Sequence, residues 1–229
     1  MKSILKVTIA SVVFGIVHSA LASLTAKRLA AKLFGELRAN GLYRLFFGLQ
    51  SIASLFAYNR YVLHLPAVSI YKVRGPLAWL IRAAWLANAA YICLCFRHGG
   101  ITRMLGLEDI SAMARGQSGA PRVDTQAPSL GTDGSLRISG PYTWTRHPLN
   151  FSGLPALWLK SSMSVNELVA CIWLTIYLVL GSMQEESRRR TVYGQVYEEY
   201  RRSGVSFFVP LPPGVGRRHG KRETTLVGG

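Results

Sequence analysis

Between Gly140 and Gly153 the chain reads GPYTWTRHPLNFSG, so a guanidinium (Arg146), an imidazole (His147) and a proline (Pro148) stand directly before an apolar run. Further on, Gln184-Glu185-Glu186-Ser187-Arg188 closes a second apolar run. Pro148 suits a first helical turn, where its missing N–H costs nothing, and the opening turn leaves backbone N–H groups for an anion. If the two runs form a helical hairpin, an Arg, a His and two carboxylates converge at one membrane boundary. That is where a polar cofactor would meet a pocket inside the bilayer. Singly, each residue has an ordinary explanation. Arg146 suits a positive flank, Trp144 an interfacial belt, Glu185 a solvated helix end, and Glu186 with Arg190 an i,i+4 pair. Only their co-location argues for a site.

The elements that must position them are apolar. The chain has 229 residues, is 49% hydrophobic and carries +16 formal charge. A soluble protein that basic suggests nucleic-acid binding, but here the charge alternates with apolar blocks, which excludes that reading. Ile4–Leu24, Leu42–Leu63, Pro76–Phe96 and Val165–Met183 are each long enough to cross a bilayer, which needs about 20 residues. A fifth block, Leu149–Lys160, is short and holds Pro155. The first block also resembles a signal peptide, with Ala20–Ala22 as a cleavage-like site. Lys6 and His18 interrupt it, so a retained span is expected. Of the 27 Lys and Arg, 20 fall between the first two spans or at Arg44 in the opening turn of the second, in the segment 97–146, or after Met183. By the positive-inside rule the N-terminus lies outside and the C-terminus in the cytoplasm. The expected fold is an all-α integral membrane protein of about five transmembrane helices, ending in a hairpin with a cytoplasmic cofactor site.

Four regions are expected: N-terminal spans over 1–98, a cytoplasmic loop over 99–139, a hairpin core over 140–212 and a basic disordered tail over 213–229. The loop is rich in Gly, Ser, Pro and Thr and is a candidate lid. Within it, ITRMLGLEDISAMARG has helical periodicity and is expected as one short surface helix. Cys93, Cys95 and Cys171 fall inside spans, and the five histidines lack ligand spacing, so neither a disulfide framework nor a metal site is expected.

GPYTWTRHPLNFSG, a hairpin, and then EES…YGQVYEEYRRSGVSFFVPLPP together resemble the isoprenylcysteine carboxyl methyltransferase and phospholipid methyltransferase superfamily. The likeness covers roughly residues 134–212 and rests on Gly140, Tyr142, Arg146, His147, Pro148, Gly153, Glu185, Glu186, Gly194, Tyr197, Tyr200 and Pro210. HSALAS (18–23), LYRLFF (42–47) and LGLEDI (105–110) are similar to the branch holding methanethiol S-methyltransferases and NnrU-type membrane proteins. The resemblance implies an S-adenosyl-L-methionine-dependent methyltransferase acting on a small or lipophilic nucleophile: a thiol, an isoprenylcysteine-like group or a lipid. It places Leu136, Arg137, Tyr142, His147, Pro148, Leu149, Asn150 and Glu185 against the cofactor, and Arg146, His147 and Glu186 in the catalytic set. Arg146 or helix-start N–H groups suit the cofactor's carboxylate, and Glu185 its ammonium or ribose diol. Methyl transfer is a displacement at carbon, so alignment would supply most of the catalysis. The partners implied are the bilayer and the methyl acceptor, in a bacterial inner membrane.

Two positions depart from the family pattern. Asn150 stands where an aromatic is usual, so either Phe151 shifts in to cover the cofactor or the pocket is altered. Gly181 stands where isoprenylcysteine enzymes carry an arginine for a carboxylate substrate, which argues against a prenylcysteine acceptor. Two other readings compete. A non-catalytic NnrU-like membrane protein keeps the fold without the chemistry. A sterol-reductase-like enzyme would share an Arg-His-Pro-Asn-Tyr segment and bind NADPH through Arg188–Arg190.

Overall fold

The computed structural model describes residues 1–117, 128–131 and 133–212. Helices α1 (Lys2–Ala22), α2 (Leu24–Phe34) and α3 (Glu36–His64) are followed by strand β1 (Ser69–Lys72) and helix α4 (Pro76–Gly99). Two short helices, α5 (Ile101–Met104) and α6 (Leu107–Ala114), precede the strands β2 (Ser129–Leu130) and β3 (Leu136–Arg137). A 3-10 turn over Gly140–Thr143 leads into α7 (Pro148–Trp158), β4 (Ser162–Ser164), α8 (Val165–Tyr193) and α9 (Gln195–Arg202). The protein is mostly helical.

Among the described residues, α1, α4 and α8 are long and apolar enough to cross a membrane, with mean hydropathy of 1.9, 1.5 and 1.7. All five apolar blocks read from the sequence are helical, but α3 and α7 do not meet that standard. Helix α3 is interrupted by Arg44, Gln50, Asn59 and Arg60. Helix α7 has 11 residues, about 17 Å at 1.5 Å per residue. The apolar part of α8, 165–183, rises about 28 Å, close to the thickness of a bilayer's hydrocarbon core. The polar turns from Gln184 to Tyr193 therefore project past it. Leu49, Ile52, Trp79 and Leu80 are each more than half exposed on the outside of the bundle, an arrangement suited to lipid.

The core lies where α1, α3 and α8 meet, around Val7, Tyr58, Val62, Ala170 and Leu174. Ser11 Oγ donates its single hydrogen to Val7 O (2.8 Å), so Tyr58 Oη, 2.7 Å away, donates to Ser11. Trp173 Nε1 ties α8 to α1 through Thr8 Oγ1 at 3.2 Å. Helix α4 packs on α7, and its buried Asn88 donates to Ser152 O at 3.0 Å.

Three details differ from the sequence-based expectations. The fold is not purely helical: β1 pairs antiparallel with β4, and β2 with β3. The link from α7 to α8 is thus pinned to the α3–α4 connection, with Lys72 opposite Ser162. The single helix expected over 101–116 is broken into α5 and α6 at Gly106, whose φ is +77°. The loop over 99–139 also contains this helix pair and a β ribbon among its described residues, while 118–127, 132 and the tail 213–229 lie outside the described residues.

Candidate functional site

The mouth of the α7–α8 hairpin gathers the charged residues. A left-handed Gly140 (φ +55°) opens the turn, and a side chain there would run into the His98 ring, with a Cβ 2.5 Å from its Cγ. The turn buries Tyr142, and His147 caps α7 with Pro148 in its first turn. His147 and Thr145 are fully buried, and Arg146 is 8% exposed. Close packing of α7 on α8 depends on Gly153, where an added Cβ would stand 2.7 Å from Leu178 Cδ1.

Two consecutive carboxylates on α8 serve different layers. Glu185 faces inward. Its Oε1 accepts from Arg189 Nη2 at 2.8 Å, and its Oε2 lies 3.3 Å from Asn150 Nδ2 and 3.5 Å from His147 Nδ1. Arg189 has no exposed side chain, so this is a buried ion pair one helical turn long. Asn150 also donates to Ser182 Oγ at 2.8 Å. Burial holds the His147 imidazole below its ordinary pKa, with Glu185 opposing that shift. The ring is therefore neutral near pH 7.

Glu186 faces the C-terminal strap that follows α9. It pairs with Arg146 Nε and receives Tyr197 Oη at 3.4 Å, while Arg146 Nη1 donates to Val205 O at 2.6 Å. The expected Glu186–Arg190 pair is not formed. Arg190 bonds Glu198 at 2.6 Å instead, because α9 folds back beside it. The strap is sewn to the turn by Arg146 N to Ser206 O (2.9 Å) and Leu211 N to Trp144 O (3.1 Å). Tyr200 Oη donates to Tyr142 O at 2.5 Å. Burial raises the pKa of the Tyr142 and Tyr200 phenols, and that of Tyr197 to about 12.

Beside this cluster lies a cavity of about 430 Å³ between α1, α3, α7 and α8. Asn150, Gln184, Glu185, Arg188, His18 and Ser51 supply its polar lining, and Phe14, Phe47, Leu174 and Tyr177 much of its apolar lining. Gly181 is also on its wall.

Tyr142, Arg146, His147, Pro148, Asn150, Glu185 and Glu186 are thus brought together by contacts among the Gly140–Thr143 turn, α7, α8 and the strap. Leu149 follows them on α7, half-buried. Leu136 and Arg137 lie on β3, which packs against α9, and Arg137 is exposed. Phe151 lies against the strap. Its ring packs on Phe208 of the strap, centroids 6.0 Å apart, and Asn150 itself reaches the cavity. Arg188, Arg189 and Arg190 point to the cavity, to Glu185 and to Glu198 respectively, so they form no joint phosphate cluster. Sequence reasoning missed Arg189, Ser182 and the strap's backbone pairing. Arg189 had one available signal, its i,i+4 spacing from Glu185. Tyr142 Oη and His147 Nε2 are among the buried polar atoms with no hydrogen-bond partner among the described residues. Together with the carboxylate, the amide and the adjoining cavity, they fit a ligand that is polar at one end and small or apolar at the other.

No family model matches the chain, and no solved structure does. Curated relatives do. The chain is 32% identical over 88 residues to the methanethiol S-methyltransferase of Pseudomonas deceptionensis, a match covering 38% of this chain and 33% of that protein. It is 33% identical over 70 residues to the methanethiol S-methyltransferase of Crocosphaera subtropica, covering 31% of this chain and 27% of that one. The matched stretch spans about a third of the length of these relatives. The resemblance to the membrane methyltransferase superfamily read from the motifs is therefore supported by relatives bearing a methyltransferase name.

Proposed function

We propose that the chain is an integral-membrane, S-adenosyl-L-methionine-dependent methyltransferase with a small thiol as its first candidate acceptor. One observation carries the reading. Residues of the resemblance about 40 positions apart, Arg146 to Asn150 and Glu185 to Glu186, meet at one end of a hairpin beside a cavity of mainly apolar lining that Asn150, Glu185 and Arg188 also border. The names of the two relatives favour a thiol over a lipid headgroup, and Gly181 offers no cation for a carboxylate-bearing prenylcysteine.

In this reading α3 and α7 are the fourth and fifth spans. The N-terminus lies outside and the hairpin mouth faces the cytoplasm of a bacterial inner membrane. The regions 1–98, 99–139, 140–212 and 213–229 act as spans, loop, core and tail. The donor supplies a methyl group on a positively charged sulfur. Tyr142 Oη and His147 Nε2 offer hydrogen bonds to its polar parts, and Leu136 to Arg137 and the 147–150 turn flank it. Asn150 and Glu185 line the cavity, and the Glu185 carboxylate supplies negative charge beside a cationic donor. Arg146 and Glu186 hold the strap closed over the site and keep water out.

The test is calorimetric titration of the detergent-purified protein with S-adenosylhomocysteine and, separately, NADPH, followed by assay of methyl transfer to an alkanethiol. Binding of the homocysteine adduct weakened at least tenfold by His147→Gln supports the site. NADPH binding in its place, or binding of neither, refutes the reading.

A further inference from the structure

His18 is the second histidine at the cavity, and no role has been assigned to it so far. It sits on α1, with ring contacts to Phe47 (centroids 4.8 Å apart), Phe14 (5.8 Å) and Tyr177 (5.8 Å). Its Nδ1 lies 3.3 Å from Ser51 Oγ on α3. Ser51 has one hydrogen and donates it to Phe47 O at 2.6 Å. Ser51 can therefore only accept from the ring, so Nδ1 carries the proton in neutral His18. That leaves Nε2 as a free lone pair, and no hydrogen-bond partner meets it among the described residues. Three aromatic neighbours and one serine thus fix the tautomer and orientation of a base inside an apolar pocket. Asn150, Glu185 and Arg188 line the same cavity, and Arg188 is close enough to act electrostatically on the ring.

We propose that His18 Nε2 is the proton acceptor for the nucleophile, and that the acceptor is a neutral thiol bound between His18 and the Asn150–Glu185 pair. This rests on the methyltransferase reading above. His18 takes the S–H proton as the thiol sulfur's electron pair forms the new bond to the methyl carbon. The old carbon–sulfur bond breaks with its electrons going to the donor sulfur, which becomes the neutral thioether of S-adenosylhomocysteine. The positive charge lost there appears on the His18 imidazolium and leaves with its proton to solvent. A thiolate attacks far better than a thiol, and general bases contribute about 10²–10⁴-fold.

The experiment compares two acceptors, 1-propanethiol and the more acidic thiophenol, at mildly alkaline pH where thiophenol is already largely ionised. His18→Gln should lose about 100-fold or more on propanethiol and less than about fivefold on thiophenol. Its affinity for S-adenosylhomocysteine should stay within about twofold of wild type. Ser51→Ala, which frees the ring, should show an intermediate loss on propanethiol alone. Equal losses on both thiols with affinity retained would reduce His18 to a wall of the pocket, and retained activity on both would place the proton acceptor elsewhere. Either result overturns the proposal. A wild-type protein that binds S-adenosylhomocysteine but methylates neither thiol removes the acceptor class alone. Failure to bind it removes the underlying reading as well.

Discussion

Glu185→Gln isolates the buried charge at the hairpin mouth. The amide keeps the size and the hydrogen bond from Asn150, but it cannot balance Arg189, whose side chain is fully buried and 2.8 Å from Glu185 Oε1. Leaving one member of a buried ion pair uncompensated costs about 3–5 kcal/mol. For a chain of this size each kcal/mol moves Tm by about 2–4 °C, so the melting point should fall by roughly 6–20 °C. Removing both charges, in Glu185→Gln/Arg189→Met, should recover most of that loss, with a coupling of about 2 kcal/mol or more between the sites. The assay is heating in detergent followed by size-exclusion recovery and intrinsic fluorescence. A fall below about 3 °C in the single variant, or a double variant no better than the single one, would refute the argument that Arg189's charge is what matters. The same reasoning makes Glu185→Ala a poor probe of ligand binding, because it would weaken binding through the fold. His147→Gln is cleaner.

Gly140→Ala adds both strain at φ +55° and a collision with His98, whereas Gly134→Ala (φ +76°) adds strain with nothing within 4 Å. The first should lower Tm at least twice as far as the second, and equal shifts would mean the His98 contact yields freely. The three buried phenols give a pH prediction. Tyr142, Tyr197 and Tyr200 have folded pKa values above the unfolded value of about 10. The stability they contribute is complete below that pH and is lost as pH rises toward their folded values. Absorbance near 295 nm should show a late fraction of the 10 tyrosines ionising only with unfolding, and reversible ionisation of all of them near pH 10 would contradict this.

The apolar blocks were legible because lipid-facing helices must be apolar on nearly every exposed side. Their helices run past some of the expected ends: α8 starts at Val165 as expected but continues through polar residues to Tyr193. The hairpin mouth was legible because Arg146-His147-Pro148 and Glu185-Glu186 are ionisable groups at the ends of apolar runs, where charge is expensive unless used. Arg189 was not legible, since one arginine among three consecutive ones looks like flank until burial is known. The strap was not legible either. Its attachment runs through backbone groups, Ser206 O and Leu211 N, which carry no mark in a sequence. Nor was the β1–β4 ribbon, because every residue of Ser69–Lys72 is exposed and burial does not alternate along it.

Adjacent positions on a helix differ by about 100° of rotation, and the chain uses that angle between Glu185 and Glu186. Glu185 closes the inner layer with Arg189 and Asn150, and Glu186 closes the outer layer with Arg146 and Tyr197. The outer layer, with Tyr200 bonded to Tyr142 O, covers the mouth from the polar side. The cavity's other wall is different in kind. Ile52 and Leu55 line it while remaining 68% and 48% exposed on α3, so its rim is continuous with the lipid-facing surface. A molecule that crosses this rim needs to be small and apolar, which suits a neutral alkanethiol. A base held inside the pocket is then required, because an acceptor that enters as a thiol must lose its proton after it has left the water.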